Sequence, residues 1–191
     1  MQNNSKIRCP WVPEGDRLYT QYHDREWGVP LHNDRKLFEF LILEGFQAGL
    51  SWRTVLYKRK HFRAAFDGFN PVKIASYDRK RFDALMKNKD IIRNKLKIQA
   101  AITNAGAFLA IKEKFGAFDR YIWDFVDGKP LRNRWRNIRQ VPASTPLSDK
   151  LSRDLKLRGF KFVGTTICYS HMQATGMVND HTTDCFRYNE V

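Results

Sequence analysis

The chain of 191 residues carries 34 Lys and Arg against 20 Asp and Glu, a formal net charge of +14, with 42% hydrophobic and 14% aromatic residues. That length closes a real hydrophobic core and suits one domain, and the apolar content excludes the composition of a disordered chain. Three cysteines exclude a disulfide framework, and no apolar run approaches the roughly 20 residues of a membrane-spanning helix.

The opening MQNNSKIRCP lacks the apolar stretch of a signal peptide, so a cytoplasmic protein without membrane contact is expected. The cation excess favours a polyanionic partner, because Lys and Arg that neutralise phosphates release counterions. A basic protein with no nucleic-acid role is the alternative.

Periodicity is mostly helical. Leu37, Leu41, Glu44 and Ala48 share one face of a segment opened by Asn33 or Asp34 as N-cap and closed near Gly49. Phe82, Leu85 and Met86 mark a short helix, and Ile98, Ala101, Ile102, Ala105, Phe108 and Leu109 a longer one, with the tight link Asp90 to Lys97 between them. After the turn at Asp127 and Gly128, the stretch KPLRNRWRNIRQVPASTP reads as a loop. It carries Lys129, Arg132, Arg134, Arg136 and Arg139 and no acid. Ser148 is expected to cap a helix that includes Leu151, Leu155 and Leu157 and stops at Gly159; a last helix runs from about Thr165 to Thr175 before Gly176. Strands have little to claim, and without repeats or Gly/Ser linkers nothing argues for independent domains.

Cys9 and His23 near the start, with His181 and Cys185 near the finish, supply the two sulfurs and two imidazoles of a tetrahedral zinc site. His181 and Cys185 meet if that segment makes one helical turn, since i and i+4 share a face. With four protein ligands such a site is closed, so its role is structural, joining the two ends of the chain. The alternative is an incidental thiol with ordinary histidines. Cys168, in the apolar ICYS segment, reads as a small core residue.

Glu44 stands where an apolar residue belongs, and a carboxylate there needs a partner or a cationic ligand. Around it in sequence lie Trp11, Tyr19, Tyr22, Trp27 and Trp52. Aromatic faces stack on an extruded base and a carboxylate accepts from its amino group, so together these describe a purine pocket, although each aromatic taken singly suits a core. Lys95 and Lys97 sit at the positive end of the longer helix, where a bound phosphate offsets their cost; a solvated charged turn, whose dipole penalty is only some tenths of a kcal/mol, is the alternative.

The stretches CPW at 9–11, YHDREWGVP at 22–30, LEGFQAGLSWRTVL at 43–56, IIRNKLKI at 91–98 and GFKFVGTTICYSHMQATGMVNDH at 159–181 span almost the whole chain. In them the sequence resembles the bacterial 3-methyladenine DNA glycosylase I family. The resemblance implies an all-α, helix-hairpin-helix glycosylase fold in a single domain over 1–191, with the hairpin at about 81–110. It implies one structural zinc ion on Cys9, His23, His181 and Cys185. Glu44 takes the role of recognising the methylated adenine, Trp52 stacks on it, and Tyr22, Tyr19, Trp11 and Trp27 form the walls. Gly49 and Leu50 approach the gap left in the duplex, and Arg93, Asn94, Lys95 and Lys97 grip the backbone of double-stranded alkylated DNA. The implied enzyme is a monomer that releases free 3-methyladenine and leaves an abasic site without nicking the strand. His171 falls where a known member has an aromatic residue.

Two other classes fit parts of the sequence. A damage-binding protein without activity explains the charge, the hairpin and the metal ligands but leaves Glu44 without a task. A zinc nucleobase deaminase needs a C-x-x-C that the chain lacks.

Overall fold

The computed structural model describes residues 6–191, in which the chain forms nine α-helices. They are α1 (Arg17–Arg25), α2 (Asp34–Gln47), α3 (Trp52–Ala65), α4 (Pro71–Ala75), α5 (Arg79–Lys87), α6 (Lys95–Phe115), α7 (Phe118–Trp123), α8 (Pro146–Leu157) and α9 (Thr165–Ala174). Two strands of two residues, β1 (Leu131–Arg132) and β2 (Val178–Asn179), pair in parallel with Leu131 opposite Val178. The predominantly helical architecture agrees with the periodicity.

α2 is the axis of the arrangement. Every residue from Leu37 to Phe46 is buried, because α3, α6, α7 and α9 all pack against it. A helix covered all round has no solvent face on which to place a charge. Glu39 and Glu44 are therefore both buried acids, a setting more severe than one amphipathic face. Asn33 caps α2 as expected, its side chain accepting from the Lys36 amide at 3.0 Å.

α5 and α6 form the expected helical hairpin, with Asp78 and Asn94 as N-caps. α6 extends beyond the apolar pattern to Phe115 and stops at Gly116, whose φ of 84° suits a residue without Cβ. The start of α8 differs from expectation. Thr145, not Ser148, is its N-cap: Thr145 Oγ1 accepts from the Ser148 amide, Ser148 Oγ accepts from the Thr145 amide, and Pro146 takes the first turn. A Thr followed by Pro is the stronger start signal, because Pro lacks the amide a first-turn residue leaves unused. The basic loop also holds more order than expected: it contains β1 and a 3-10 turn at Ile138–Gln140.

Residues 28–31 run along the end of α9, with the Gly28 amide donating to Gln173 O and the Leu31 amide to Thr175 O, both at 3.0 Å. This brings the backbone of Val29 and Pro30 directly against Gly176, whose φ is 72°. Any Cβ there overlaps main chain that has nowhere to move. Gly176→Ala is expected to cost about 3 kcal/mol or more of unfolding free energy, measured by urea denaturation; a loss below about 0.5 kcal/mol contradicts this close packing.

His171 is fully buried in α9 with neither ring nitrogen hydrogen-bonded to a described residue, and burial pushes its pKa down to about 3. The folded chain holds it neutral, whereas the unfolded chain takes up a proton below about 6.5. Stability is therefore lost as pH falls from about 6.5 toward 3, by about 2 kcal/mol at pH 5. Urea denaturation of His171→Leu should show a gain over the parent at pH 5 that shrinks by about that amount at pH 7.5. An equal difference at both values removes the effect.

Candidate active site and metal centre

The six residues expected around a base line one cavity of about 390 Å³. Trp11 comes from the N-terminal arm, Tyr19 and Tyr22 from successive turns of α1, Trp27 from the segment after it, Glu44 from α2 and Trp52 from the first position of α3. The rings pack edge to face or tilted: Trp11 to Trp27 at 4.9 Å, Trp11 to Tyr19 at 5.6 Å and Tyr22 to Trp52 at 5.3 Å between centroids. The volume suits a small-molecule or base site.

The electrostatics turn on a contrast within α2. Glu39 is buried but matched, accepting from Arg59 Nε at 2.6 Å and Arg63 Nε at 2.9 Å. Glu44 is just as buried and accepts no hydrogen bond from any described residue; its Oε2 is enclosed without a partner. Burial raises its pKa to about 8, and the more distant charge of Arg59 offsets only part of that. Burial, then the Glu44 charge, also pushes the Tyr22 hydroxyl well above its ordinary range. A buried carboxylate without a protein partner is complete only when a ligand supplies a donor or a positive charge. The Trp52 indole N–H is likewise enclosed and without a partner among the described residues.

Ten further residues line the cavity. Thr166, Tyr169, Ser170 and Gln173 form one stripe of α9 at i, i+3, i+4 and i+7, Gln47 stands one turn beyond Glu44, and Ile138 with Val141, Pro142 and Ala143 closes another side. Asp180 completes the wall as a second carboxylate, but a fully matched one. Its Oδ1 accepts from Asn133 Nδ2 and Trp135 Nε1, and its Oδ2 from the Tyr169 hydroxyl and Gln173 Nε2, all within 2.6–2.7 Å.

Cys9, His23, His181 and Cys185 are buried together, with one donor atom of each lying within 4.8 Å of the others. Cys9 Sγ is 3.3 Å from His181 Nδ1, and Cys185 Sγ is 3.5 Å from both His23 Nε2 and His181 Nδ1. Ligand atoms around a tetrahedral ion with bonds of about 2.0–2.3 Å stand about 3.3–3.8 Å apart, so the donor set fits a metal ion. The outward ring nitrogens are engaged: His23 Nδ1 with Asp24 Oδ1 at 2.8 Å, and His181 Nε2 with Trp27 O at 3.2 Å. That leaves His23 Nε2 and His181 Nδ1 for the ion. One expectation changes here. Residues 181–185 are not helical, and a turn with the Cys185 amide on Thr182 O brings the two ligands together.

The Cys/His cluster and the cavity share a wall. Trp11 lies 5.2 Å from the His23 ring, and Trp27 lies 4.6 Å from the His181 ring, edge to face. Gly28 sits where a Cβ would stand 2.9 Å from His181 Nε2.

Gly49, with φ of 75°, and Leu50, 44% exposed, form the tip of the turn between α2 and α3. At the hairpin, Arg93 and Lys95 are exposed and form no ion pair among the described residues, and Asn94 Oδ1 accepts from the Lys97 amide at 3.1 Å. Lys97 departs from its expected role on phosphate. Its side chain is buried and its ammonium donates to Phe46 O at 2.8 Å and Ala48 O at 2.5 Å. Those carbonyls are the negative end of α2, which outcompetes solvent for a lysine within reach. Lys97 thus ties the hairpin to the end of the helix that carries Glu44.

A model of the family described as methyladenine glycosylase matches residues 11–188. The chain belongs to that family. Over 181 residues it is 50% identical to DNA-3-methyladenine glycosylase 1 of Escherichia coli (strain K12), covering 95% of this chain and 96% of that protein. It is 48% identical over 178 residues to a DNA-3-methyladenine glycosylase of Haemophilus influenzae, covering 93% of this chain and 96% of the other. A crystal structure of a 3-methyladenine DNA glycosylase I superposes with a TM-score of 0.92 at 53% identity, over 94% of this chain and 98% of that one. A Staphylococcus aureus 3-methyladenine DNA glycosylase I, solved for the structural basis of 3-methyladenine recognition, gives 0.88 at 35% identity over 90% and 92%.

The sequence does hold a signal for the α9 wall. Thr166, Ser170 and Gln173 form a polar stripe on a helix whose remaining residues are largely apolar. Asp180 has no such signal, since its neighbours do not show that four donors converge on it.

Proposed function

We infer that this chain is a DNA-3-methyladenine glycosylase, which hydrolyses the N-glycosidic bond of 3-methyladenine in alkylated duplex DNA and releases the free base in base excision repair. The observation that carries this is the unmatched, fully buried Glu44 among six aromatic side chains in a cavity of a size for one base.

Methylation at N3 makes the adenine cationic and weakens its bond to the sugar. Extrusion of the nucleotide unstacks it at a cost of a few kcal/mol. In the cavity the cation meets the charge that Glu44 lacks a partner for, and Trp52 with Tyr22 encloses its faces. A neutral adenine gains far less from the same carboxylate, which is the basis of selection. When the bond breaks, its electron pair leaves with the base, which departs neutral. Water adds to the sugar and releases one proton, leaving an abasic site. Among the described residues no lysine lines the cavity, so no amine is placed to form a Schiff base and the strand stays intact.

The α5–α6 hairpin serves as a helix-hairpin-helix grip on the phosphate backbone through Arg93, Lys95 and the amides around Asn94. Leu50, apolar and exposed at the tip of its turn, fills the space the base vacates. Cys9, His23, His181 and Cys185 hold one zinc ion. Its contribution is structural, as four protein ligands leave no open position, and it fixes Trp11 and Trp27 in the cavity wall.

The test is incubation of the purified protein with methylated duplex DNA and chromatography of whatever is released. Free 3-methyladenine with intact strands is the expected result. Folded protein that binds the duplex and frees no base makes it a damage-binding protein instead.

A further inference from the structure

Residues 129–143 do more than close the cavity. Lys129, Arg132, Arg134, Arg136 and Arg139 are all exposed, and this stretch contains no acid. From Arg132 to Arg136 exposure alternates with period two: the arginines point out while Asn133 and Trp135 are half-buried. The inward pair is held by the buried carboxylate of Asp180, which accepts from Asn133 Nδ2 and Trp135 Nε1, both at 2.7 Å. The backbone is fixed as well: the Asn133 amide donates to Asn179 O at 3.2 Å and the Thr183 amide to Trp135 O at 2.9 Å. Gln140 Oε1 accepts from the Arg136 and Asn137 amides.

The outward guanidinium groups differ from most others in the molecule. Arg8, Arg53, Arg59, Arg63, Arg81 and Arg158 each meet a carboxylate. Arg134, Arg136 and Arg139 form no ion pair or side-chain hydrogen bond with any described residue, and Asp184, adjacent to the bonded Thr183, pairs with none of them. Arg132 is retained on the protein, donating to Val191 O and lying over the Tyr188 ring. Arg139 directly follows Ile138, which lines the cavity, so the row ends at the rim of the base site.

We propose that Arg134, Arg136 and Arg139 form a second phosphate-binding row for duplex DNA, separate from the hairpin and held rigid against the base pocket by Asp180. Arg134 and Arg136, two apart on extended backbone, stand roughly 6.6 Å apart, close to the spacing of successive phosphates of one strand, and Arg139 follows on the 3-10 turn at Ile138–Gln140 beside the cavity. Three cations without counter-charges, on a backbone already ordered, lose little freedom on binding and release counterions when they reach phosphate. Phosphate contacts of this kind set orientation and carry no sequence preference, as suits an enzyme that must work wherever a damaged base lies. This role rests on the glycosylase reading only in its orientation toward the pocket.

The experiment compares the parent with the triple variants Arg134→Gln/Arg136→Gln/Arg139→Gln and Arg134→Lys/Arg136→Lys/Arg139→Lys, after thermal melts show both folded. Affinity for an undamaged duplex is measured against salt concentration. Each phosphate that is no longer neutralised takes about 0.9 from the slope of log K on log salt. The Gln variant should therefore be shallower by about 2 to 3 and bind about 10- to 100-fold more weakly at low salt. The Lys variant should keep most of the slope, and both should bind free 3-methyladenine as the parent does. A Gln variant with the parent's slope and affinity overturns the proposal. If the slope falls as expected while the parent itself frees no base, the DNA-binding row stands and the glycosylase reading fails.

Discussion

Glu44→Gln should lower release of 3-methyladenine by roughly 10²–10³-fold while leaving affinity for undamaged duplex close to the parent's. The amide keeps the shape and an acceptor oxygen but loses the charge that distinguishes a cationic base from a neutral one. The same substitution should stabilise the protein. The Glu44 carboxyl titrates at about 8 in the folded chain against its ordinary 4.5. Its folded pKa is raised, so the associated stability is complete below about 4.5 and is lost as pH rises toward 8. Holding this site in readiness for a cation costs, as an upper bound, about 3 kcal/mol at pH 7. Urea denaturation of the two proteins should therefore diverge between pH 4.5 and 8, with the variant the more stable. For the parent, kcat/KM on methylated duplex should rise with pH to a plateau above about 8, while the residual activity of the variant should be flat through that range. Parent-like release by the variant, or a stability difference independent of pH, removes Glu44 from this role.

Breaking the proposed metal site should have the other large effect. Cys185→Ser should abolish binding of one zinc ion per chain and cost on the order of 3 to 5 kcal/mol of stability, because four ligands from both ends of the chain converge on one point. The loss should spread to the base pocket. Trp11 and Trp27 rest on the His23 and His181 rings, so tryptophan emission should change and affinity for free 3-methyladenine fall together with metal content. Glu44→Gln should leave zinc content at one per chain, which separates the two effects. A Cys185→Ser protein with the parent's melting curve and full metal content contradicts the assignment.

Local sequence signals identify α2, α5, α6, α8 and α9, the start of α8 excepted, but pass over α1, α3, α4 and α7. α3 shows why. Its buried face is Val55, Leu56, Arg59 and Phe62, a good helical spacing broken by one arginine. Arg59 belongs there only because Glu39 and Glu26, from elsewhere in the chain, receive its guanidinium. α4 and α7 are too short for a periodic pattern to appear. Lys97 departs from expectation for the same reason as α3: a lysine at a helix start suits a phosphate, and only the packed structure shows the C-terminal carbonyls of α2 within its reach.

Residue order alone settles the helical class, the Asn33 cap of α2, the cation excess, the aromatic set around Glu44 and the chemical types of four candidate metal ligands. These are properties of composition or of neighbours three and four residues apart, and they act before distant segments meet. Packing decides that Glu39 is matched while Glu44 is not, that Cys9 and His23 meet His181 and Cys185 across nearly the whole chain, and that Asp180 gathers four donors beneath a row of free arginines. Burial and pairing depend on which groups long-range packing brings within about 3 Å, and that proximity has no signature in the order of residues.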